Sequence, residues 1–452
     1  MSDYANYENF TVPTKWYYRG EGNCNLVISL PKSKQILRIR KTERPKSILG
    51  WILVLINDFF QWYYGIEFSD EIRDLEFYSK IMRPLMGHKY TSESKLIVLS
   101  RKQMQSFRDG LAKKRPDFRM SKTLQYGRAA LFADFAFLPK QFDNLQLSGN
   151  TYAVEIKPKQ GWRPYKEQIH PHCFFCMNQY LKLEKRQIKS QTQYCPEELF
   201  SGDRNRMKLA INSLLQVPQN NFKIFKNGLI CYDEKNKNIE ILREIFESAD
   251  RKEILIDEFC DFLRRCLIKD LGNESDIFNS ECKSICNLTV VNEQITLENT
   301  LPKGSVLNRI LSVQMLDQEG THSTYKKLTK SDVWEDFSYV DKVLEYVGNK
   351  ENICLKCTIM DVSRRLENEL LFLPYLVSAI AKDCSLMITF RKIREKPSDI
   401  DVNEAIFETK YGMFVVNIGV FDLYPKPLST IQKHCSRNRD IFRALKKCGL
   451  LT

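Results

Sequence analysis

Leu26-Val-Ile-Ser-Leu30 and Ile36-Leu-Arg-Ile-Arg-Lys41 flank a Pro31-Lys-Ser-Lys34 break, and the second run alternates apolar with basic residues. This pattern predicts strand, tight turn, strand. Residues two apart share a face in an extended chain, so Leu37 and Ile39 form an apolar face and Arg38 and Arg40 a basic one. From 46 to 108 the apolar spacing lengthens to three or four, as in Asp70 to Met82, and predicts helices. Ala129 to Leu138 is apolar with Asp134 inside it. Thr151 to Val154 has strand character and leads into Val154-Glu-Ile-Lys-Pro-Lys-Gln-Gly-Trp162. There Val154 and Ile156 face a core, while Glu155, Lys157 and Lys159 share the opposite face. Pro158 confines the segment to a strand end, an edge or a crossover. Residues 203 to 216 read as an amphipathic helix closed by Pro218-Gln-Asn-Asn221, and 233 to 300 as a polar helical insertion with loose connections. Strand-like runs adjoin Asp383 and Asp422, and no internal repeat is visible.

A chain of 452 residues is too long for one ordinary core, so two lobes are expected. Hydrophobic content of 43% with 12% aromatics is that of a globular protein. The formal charge of +13 asks for an anionic partner: nucleic acid, a membrane surface or a small polyphosphate. No apolar run approaches the roughly 20 residues of a membrane span; the best, Trp51 to Ile56, stops at Asn57-Asp58. No secretory signal is visible at the N-terminus. The 14 cysteines are scattered, which reads as mostly reduced thiols in an intracellular protein.

Two ammonium groups side by side at Lys157 and Lys159 repel unless an anion sits between them, which points to a phosphate-rich ligand; a solvated lysine-bearing strand is the plainer alternative. Arg19-Gly20-Glu21-Gly22-Asn23 is a glycine turn between strands, where backbone N–H groups can approach phosphates, although such turns also serve only as hairpins. Arg38 on the next strand would project toward phosphate beneath the turn. Asp383 and Asp422 supply what phosphoryl transfer needs beyond cations, one carboxylate for Mg²⁺ and one for the attacking hydroxyl; each alone also fits a cap or turn. His170-x2-Cys173-x2-Cys176, with Cys195 or His172 as fourth ligand, has the chemistry and local spacing of a structural zinc site.

Together, Gly20-Glu-Gly with Asn25-Leu-Val, Leu37-Arg-Ile-Arg-Lys41, Glu155-Ile-Lys-Pro-Lys-Gln-Gly161, Leu199-Phe-Ser-Gly202, Pro218-Gln-Asn-Asn221, Ala381-Lys-Asp-Cys-Ser385 and Asp422-Leu-Tyr-Pro-Lys-Pro427 resemble the inositol-pentakisphosphate 2-kinases, in that family's order, from residue 16 to about 430. The resemblance implies a two-lobed kinase distantly related to protein kinases, passing the γ-phosphate of ATP to the 2-hydroxyl of inositol 1,3,4,5,6-pentakisphosphate. It implies that Gly20, Glu21, Gly22, Asn23 and Arg38 contact nucleotide phosphates and that Glu155 lies near the nucleoside. It also implies that Asp422 binds Mg²⁺ with Asn221 close by, and that Asp383 receives or orients the hydroxyl proton. Arg115, Lys157, Lys159, Lys182 and Lys426 would bind substrate phosphates. Departures are Gln160 in place of the usual cysteine, Pro425 in place of an aliphatic residue, and Thr430 and His434 where plant members add an arginine and a tyrosine. The zinc cluster is closer to that of animal members.

The expected architecture is α+β. An N-terminal lobe (1–160) would be an antiparallel sheet with helices, and a larger α/β C-terminal lobe (161–452) would carry the helical insertion. The expected protein is a monomeric, cytoplasmic and nuclear kinase using ATP, Mg²⁺ and structural Zn²⁺, with no membrane contact and no need of nucleic acid. The competing readings are a zinc-stabilised nucleic-acid-binding protein, which lacks an RNP-type motif, a GXXG clamp or zinc-finger spacing, and a non-catalytic inositol phosphate sensor.

Overall fold

The computed structural model describes residues 8–43, 47–53, 55–56, 69–125, 127–170, 172–270, 301–333, 335–348, 354–365, 369–397 and 404–451. Among the described residues, thirteen strands fall into two sheets. The first runs β1 (Glu8–Asn9), β5 (Lys95–Val98), β7 (Arg128–Ala133), β4 (Gln35–Glu43), β3 (Asn25–Leu30) and β2 (Tyr17–Glu21), with β6 (Lys122–Leu124) also on β4. The second runs β10 (Leu229–Tyr232), β9 (Phe222–Lys226), β8 (Leu147–Ile156), β11 (Ser385–Ile393), β13 (Gly412–Phe421) and β12 (Ile406–Thr409). Pairing is antiparallel except between β1 and β5. The mixture of helices with two antiparallel sheets is α+β, as expected.

The strand-turn-strand expectation for 26–41 is met by β3 and β4, with Leu26 paired to Ile39 and Ile28 to Leu37. Leu37 and Ile39 are fully buried against α2 (Arg101–Leu111), while Arg38 lies on the opposite face. That helix starts at a capping box, Ser100 with Gln103, which satisfies two otherwise orphaned donors. The span 46–108, read as mostly helical, contains α1 (Ser69–Phe77) but also strand β5, a four-residue element too short to register against the helical period around it.

The sheets divide the chain before β8, so 147–156, expected at the end of the N-terminal lobe, is a central strand of the second sheet. Helix α5 (Lys252–Ile268) buries Phe259, Phe262, Leu263 and Cys266 and sets Phe262 edge-on to Phe390 at 5.0 Å. The first part of the segment taken as a loose insertion is therefore core; 271–300 lies outside the described residues. Helix α4 (Arg204–Gln216) matches the 203–216 expectation, its N-cap Asp203 accepting from the Arg206 N–H. The apolar run near residue 50 is exposed at Ile48, Leu49 and Leu53. Among the described residues no helix is long and apolar enough to cross a membrane.

Candidate functional site

Register alone gathers the candidate residues at one end of the second sheet. Ile156 pairs with Leu386 on one side and Phe222 on the other, while Ser385 pairs with Phe421. The end of β8, the starts of β9 and β11 and the end of β13 therefore coincide. Glu155 to Lys159, Asn221, Asp383 and Asp422 sit on those four ends.

Asp383 follows α7 (Leu373–Ala381), a helix buried along nearly its whole length, and its N–H bonds the Ile380 carbonyl at 3.0 Å. Its two carboxylate oxygens accept from Lys159 Nζ at 3.2 Å and Lys426 Nζ at 2.8 Å. Burial would raise this carboxyl, but Lys426 and then Lys159 overcome it and hold it well below the usual carboxylate range. Burial pulls the Lys159 ammonium down, Asp383 offsets part of that, and Lys157 adds to it. Lys182, on α3 (Phe174–Glu184), is lowered by burial, then by the fields of Lys159 and Arg437. The structure thus brings Lys157, Lys159, Lys182 and Lys426 into one electrostatic cluster around one acid. The face expected to carry Glu155, Lys157 and Lys159 stops with the strand at Ile156; Lys159 takes a left-handed backbone, φ 62°.

Asp422, just past β13, is also left-handed, φ 66°, and accepts from Ser385 Oγ at 3.3 Å. Arg38 Nη2 approaches Asp422 Oδ1 at 3.3 Å, with the guanidinium 4.3 Å from the Tyr424 ring centroid. Asn221 is 1% exposed, its backbone carbonyl accepts from the Lys157 N–H at 2.9 Å, and neither polar atom of its side-chain amide has a hydrogen-bond partner. A buried amide left open in this way is costly unless a ligand completes it. With the Asp422 carboxylate it offers the oxygen donors that Mg²⁺ takes.

Two expected contacts resolve differently. Glu21 turns into the N-terminal lobe and pairs with Lys41 at 2.7 Å and with Arg115, whose Nε and Nη2 each donate at 2.9 Å. Arg115 also donates to the carbonyls of Arg119 and Lys122. Both side chains, one assigned to nucleotide and one to substrate, are engaged instead in one buried charge cluster with Lys41. Gly20 and Gly22 leave open space where a side chain would be, so the turn remains approachable through its backbone. Asn23 is held by Arg119 at 2.5 Å. Glu155 lies against Lys223 at 3.3 Å, its cross-strand neighbour.

The Sγ atoms of Cys173, Cys176 and Cys195 lie within 4.8 Å of one another, all as reduced thiols. Hydrogen bonds from Cys173 and Cys176 hold the Cys195 thiol far below its ordinary range. His170 does not join them: its ring packs on Phe442 at 4.7 Å and Phe174 at 5.7 Å, an apolar seat that outcompetes a fourth position beside three thiols. Three thiolates suit zinc chemistry and leave one position to be filled.

The sequence did not single out Arg437 or Lys382. Arg437, on α8 (Ser429–Lys447), adds positive field at Lys182 and at His434, which burial and Arg437 pull down to about 3. Lys382 adjoins Asp383 but turns to Asp317 at 2.7 Å. A helix-borne arginine within a run of polar residues gives no signal in a sequence.

A family model described as inositol-pentakisphosphate 2-kinase matches residues 18–440. The chain is 28% identical to an inositol-pentakisphosphate 2-kinase of Danio rerio over 92% of its own length and 90% of the relative's. It is 26% identical to one of Arabidopsis thaliana over 94% and 92%. A Drosophila melanogaster protein of the same name is 26% identical over 49% of each chain.

Proposed function

The chain belongs to the inositol-pentakisphosphate 2-kinase family, and we propose that the convergent strand ends carry transfer of the ATP γ-phosphate to the 2-hydroxyl of inositol 1,3,4,5,6-pentakisphosphate. The observation that carries this reading is Asp383 held between Lys159 and Lys426. A substrate with five phosphates, each bearing about −1.5 to −2 charge, needs several converging cations. Lys157, Lys159, Lys182 and Lys426 are those cations, and in binding phosphate Lys159 and Lys426 release the carboxylate they now cap. Freed of its ammonium partners and surrounded by anions, Asp383 becomes more basic when the substrate is present. It orients the 2-hydroxyl and takes its proton as the oxygen bonds to the γ-phosphorus and the bond to the bridging oxygen of ADP breaks. Arg38 and the backbone of the Gly20–Asn23 turn hold the nucleotide phosphates, with Glu155 toward the nucleoside. Asp422 and Asn221 would hold Mg²⁺, which neutralises charge building on the phosphates. Cys173, Cys176 and Cys195 would hold a structural zinc. Arg115, engaged by Glu21, is left out of the substrate set in this arrangement.

The test is a single-turnover assay with γ-labelled ATP, Mg²⁺ and inositol 1,3,4,5,6-pentakisphosphate, run beside Asp383→Asn. Label in inositol hexakisphosphate from the unmutated protein alone supports both reaction and acid. Retained substrate binding without transfer would instead leave a sensor.

A further inference from the structure

Gln314 is fully buried at the C-terminal end of α6 (Val306–Gln314). Its side-chain amide joins two segments that lie far apart in sequence. Oε1 accepts from the Gly161 N–H at 2.8 Å, and Nε2 donates to the Lys159 carbonyl at 2.9 Å and to the Ala381 carbonyl at 3.3 Å. Every donor and acceptor of the amide is used in directions that only an amide supplies. The backbone of Gln314 repeats the link, its carbonyl accepting from Ser378 Oγ at 2.6 Å, and Asp317 repeats it one turn on, accepting from Trp162 Nε1 at 3.3 Å and Lys382 Nζ at 2.7 Å.

The first segment needs such a tether. Lys159 is left-handed, a conformation that strains a β-carbon-bearing residue and persists only when its surroundings over-determine it. Tyr194 holds the preceding carbonyl, Pro158, at 2.7 Å, and Gln314 holds the next carbonyl and the Gly161 N–H. Phe200 closes over Gly161 so tightly that a β-carbon there would stand 2.2 Å from the ring. The second segment, Ala381, lies two residues before Asp383.

We propose that Gln314 is a positioning residue that fixes the spacing between the substrate lysine Lys159 and the acid Asp383 by tying both backbones to one amide. The proposal rests on the kinase reading above and adds to it the part that sets the geometry. A misplacement of about 1 Å in a constellation of this kind costs up to roughly 100-fold in rate.

Glutamate is the discriminating substitution because it keeps the volume and exchanges the amide nitrogen for a second acceptor. At neutral pH a carboxylate at 314 faces two carbonyls; once protonated it donates to one of them. The titratable groups on the packed segments are Lys159, Glu167, Asp317, Lys382 and Asp383, and all are common to both proteins. In full-length protein, well below the melting temperature, Gln314→Glu is expected to lose 10- to 100-fold in kcat at pH 7.5, with KM for ATP within about twofold of the unmutated value. The ratio of variant to unmutated kcat should recover several-fold as pH falls to 6. Gln314→Leu should show the same loss with no recovery. A Gln314→Glu profile parallel to that of the unmutated enzyme, or equal loss of affinity for ATP and inositol pentakisphosphate, overturns the assignment. Failure of the unmutated protein to make inositol hexakisphosphate would overturn the kinase reading instead, so the two failures are distinguishable.

Discussion

Arg38 and Asp422 meet at 3.3 Å across the space between the sheets, Arg38 from the middle of β4 and Asp422 from the turn after β13. Tyr424 and Phe132 flank the guanidinium, with centroids 4.3 and 6.0 Å away, and its Nε is buried without a hydrogen-bond partner. The pair joins the two sheets. In the proposed reaction, nucleotide binding would replace this one contact with two, phosphate on Arg38 and Mg²⁺ on Asp422.

Replacing Arg38 by methionine keeps most of the stem against Tyr424 and removes the charge. A hydrogen bond to a charged group is worth about 1.5–3 kcal/mol, or roughly 10- to 100-fold. Arg38→Met should raise KM for ATP by that factor with KM for inositol pentakisphosphate nearly unchanged, as steady-state kinetics would read. Unaltered ATP dependence would remove Arg38 from the nucleotide site.

The acid limb of the pH–rate profile tests the grip on Asp383. Because Lys426 and Lys159 hold its carboxyl below the ordinary range of about 3.9, the free enzyme keeps this acid ionised well into acid solution. Lys426→Met removes the larger lowering influence, so the Asp383 pKa rises and the acid limb of kcat/KM for inositol pentakisphosphate, which reports the free enzyme, moves to higher pH. An unmoved limb would mean that another group governs it.

Much of this arrangement was legible in the chain, and the reasons are local. Alternation gave β3, β4 and the basic face of Arg38, because period two survives wherever one face is buried. Asp383 and Asp422 could be placed at strand ends from the apolar runs beside them. Register could not be read: that Ile156 lies between Leu386 and Phe222, which brings four strand ends together, depends on pairings between positions 230 and 66 residues apart in sequence. The pairing of Glu21 with Arg115 was hidden for the same reason, since the two lie 94 residues apart in sequence. Gln314 gave no signal, being one polar residue at the end of an amphipathic helix.

Glu21→Gln tests that buried pair. Glu21 is 1% exposed at its side chain, and Lys41 and Arg115 are 1% and 6% exposed. Removing one partner of a buried ion pair leaves uncompensated charge and typically costs about 3–5 kcal/mol. Burial would raise the Glu21 carboxyl, but hydrogen bonds from Arg115 and Lys41 lower it in the folded chain. Its contribution is therefore present above the unfolded value of about 4.3 and is lost as pH falls through the lower folded value. Chemical denaturation should show Glu21→Gln destabilised at pH 7, with the gap to the unmutated protein closing on acidification below about pH 4. A pH-independent gap would place the loss in packing.

The three thiols make the last prediction. Cys173 is the N-cap of α3, with Cys176 on its first turn and Cys195 just before the Pro196–Leu199 turn, so a metal here would pin that helix to the segment leading to the Leu199-Phe-Ser-Gly202 motif. Hydrogen bonds among the three thiols lower Cys195 toward the deprotonated form a metal requires and raise Cys173 and Cys176, whose protons a metal would have to displace. Purified protein should carry close to one zinc per chain by elemental analysis, held by these three thiols and a fourth ligand that closes the shell. Cys195→Ser should abolish that zinc and lower the melting temperature by more than about 5 °C. Because a closed structural site leaves no position for substrate, kcat measured well below the new melting temperature should change less than about twofold. Zinc-free protein that melts where the purified protein does would show that the cluster is three packed thiols, and a large fall in kcat at full stability would move the metal from the scaffold into the chemistry.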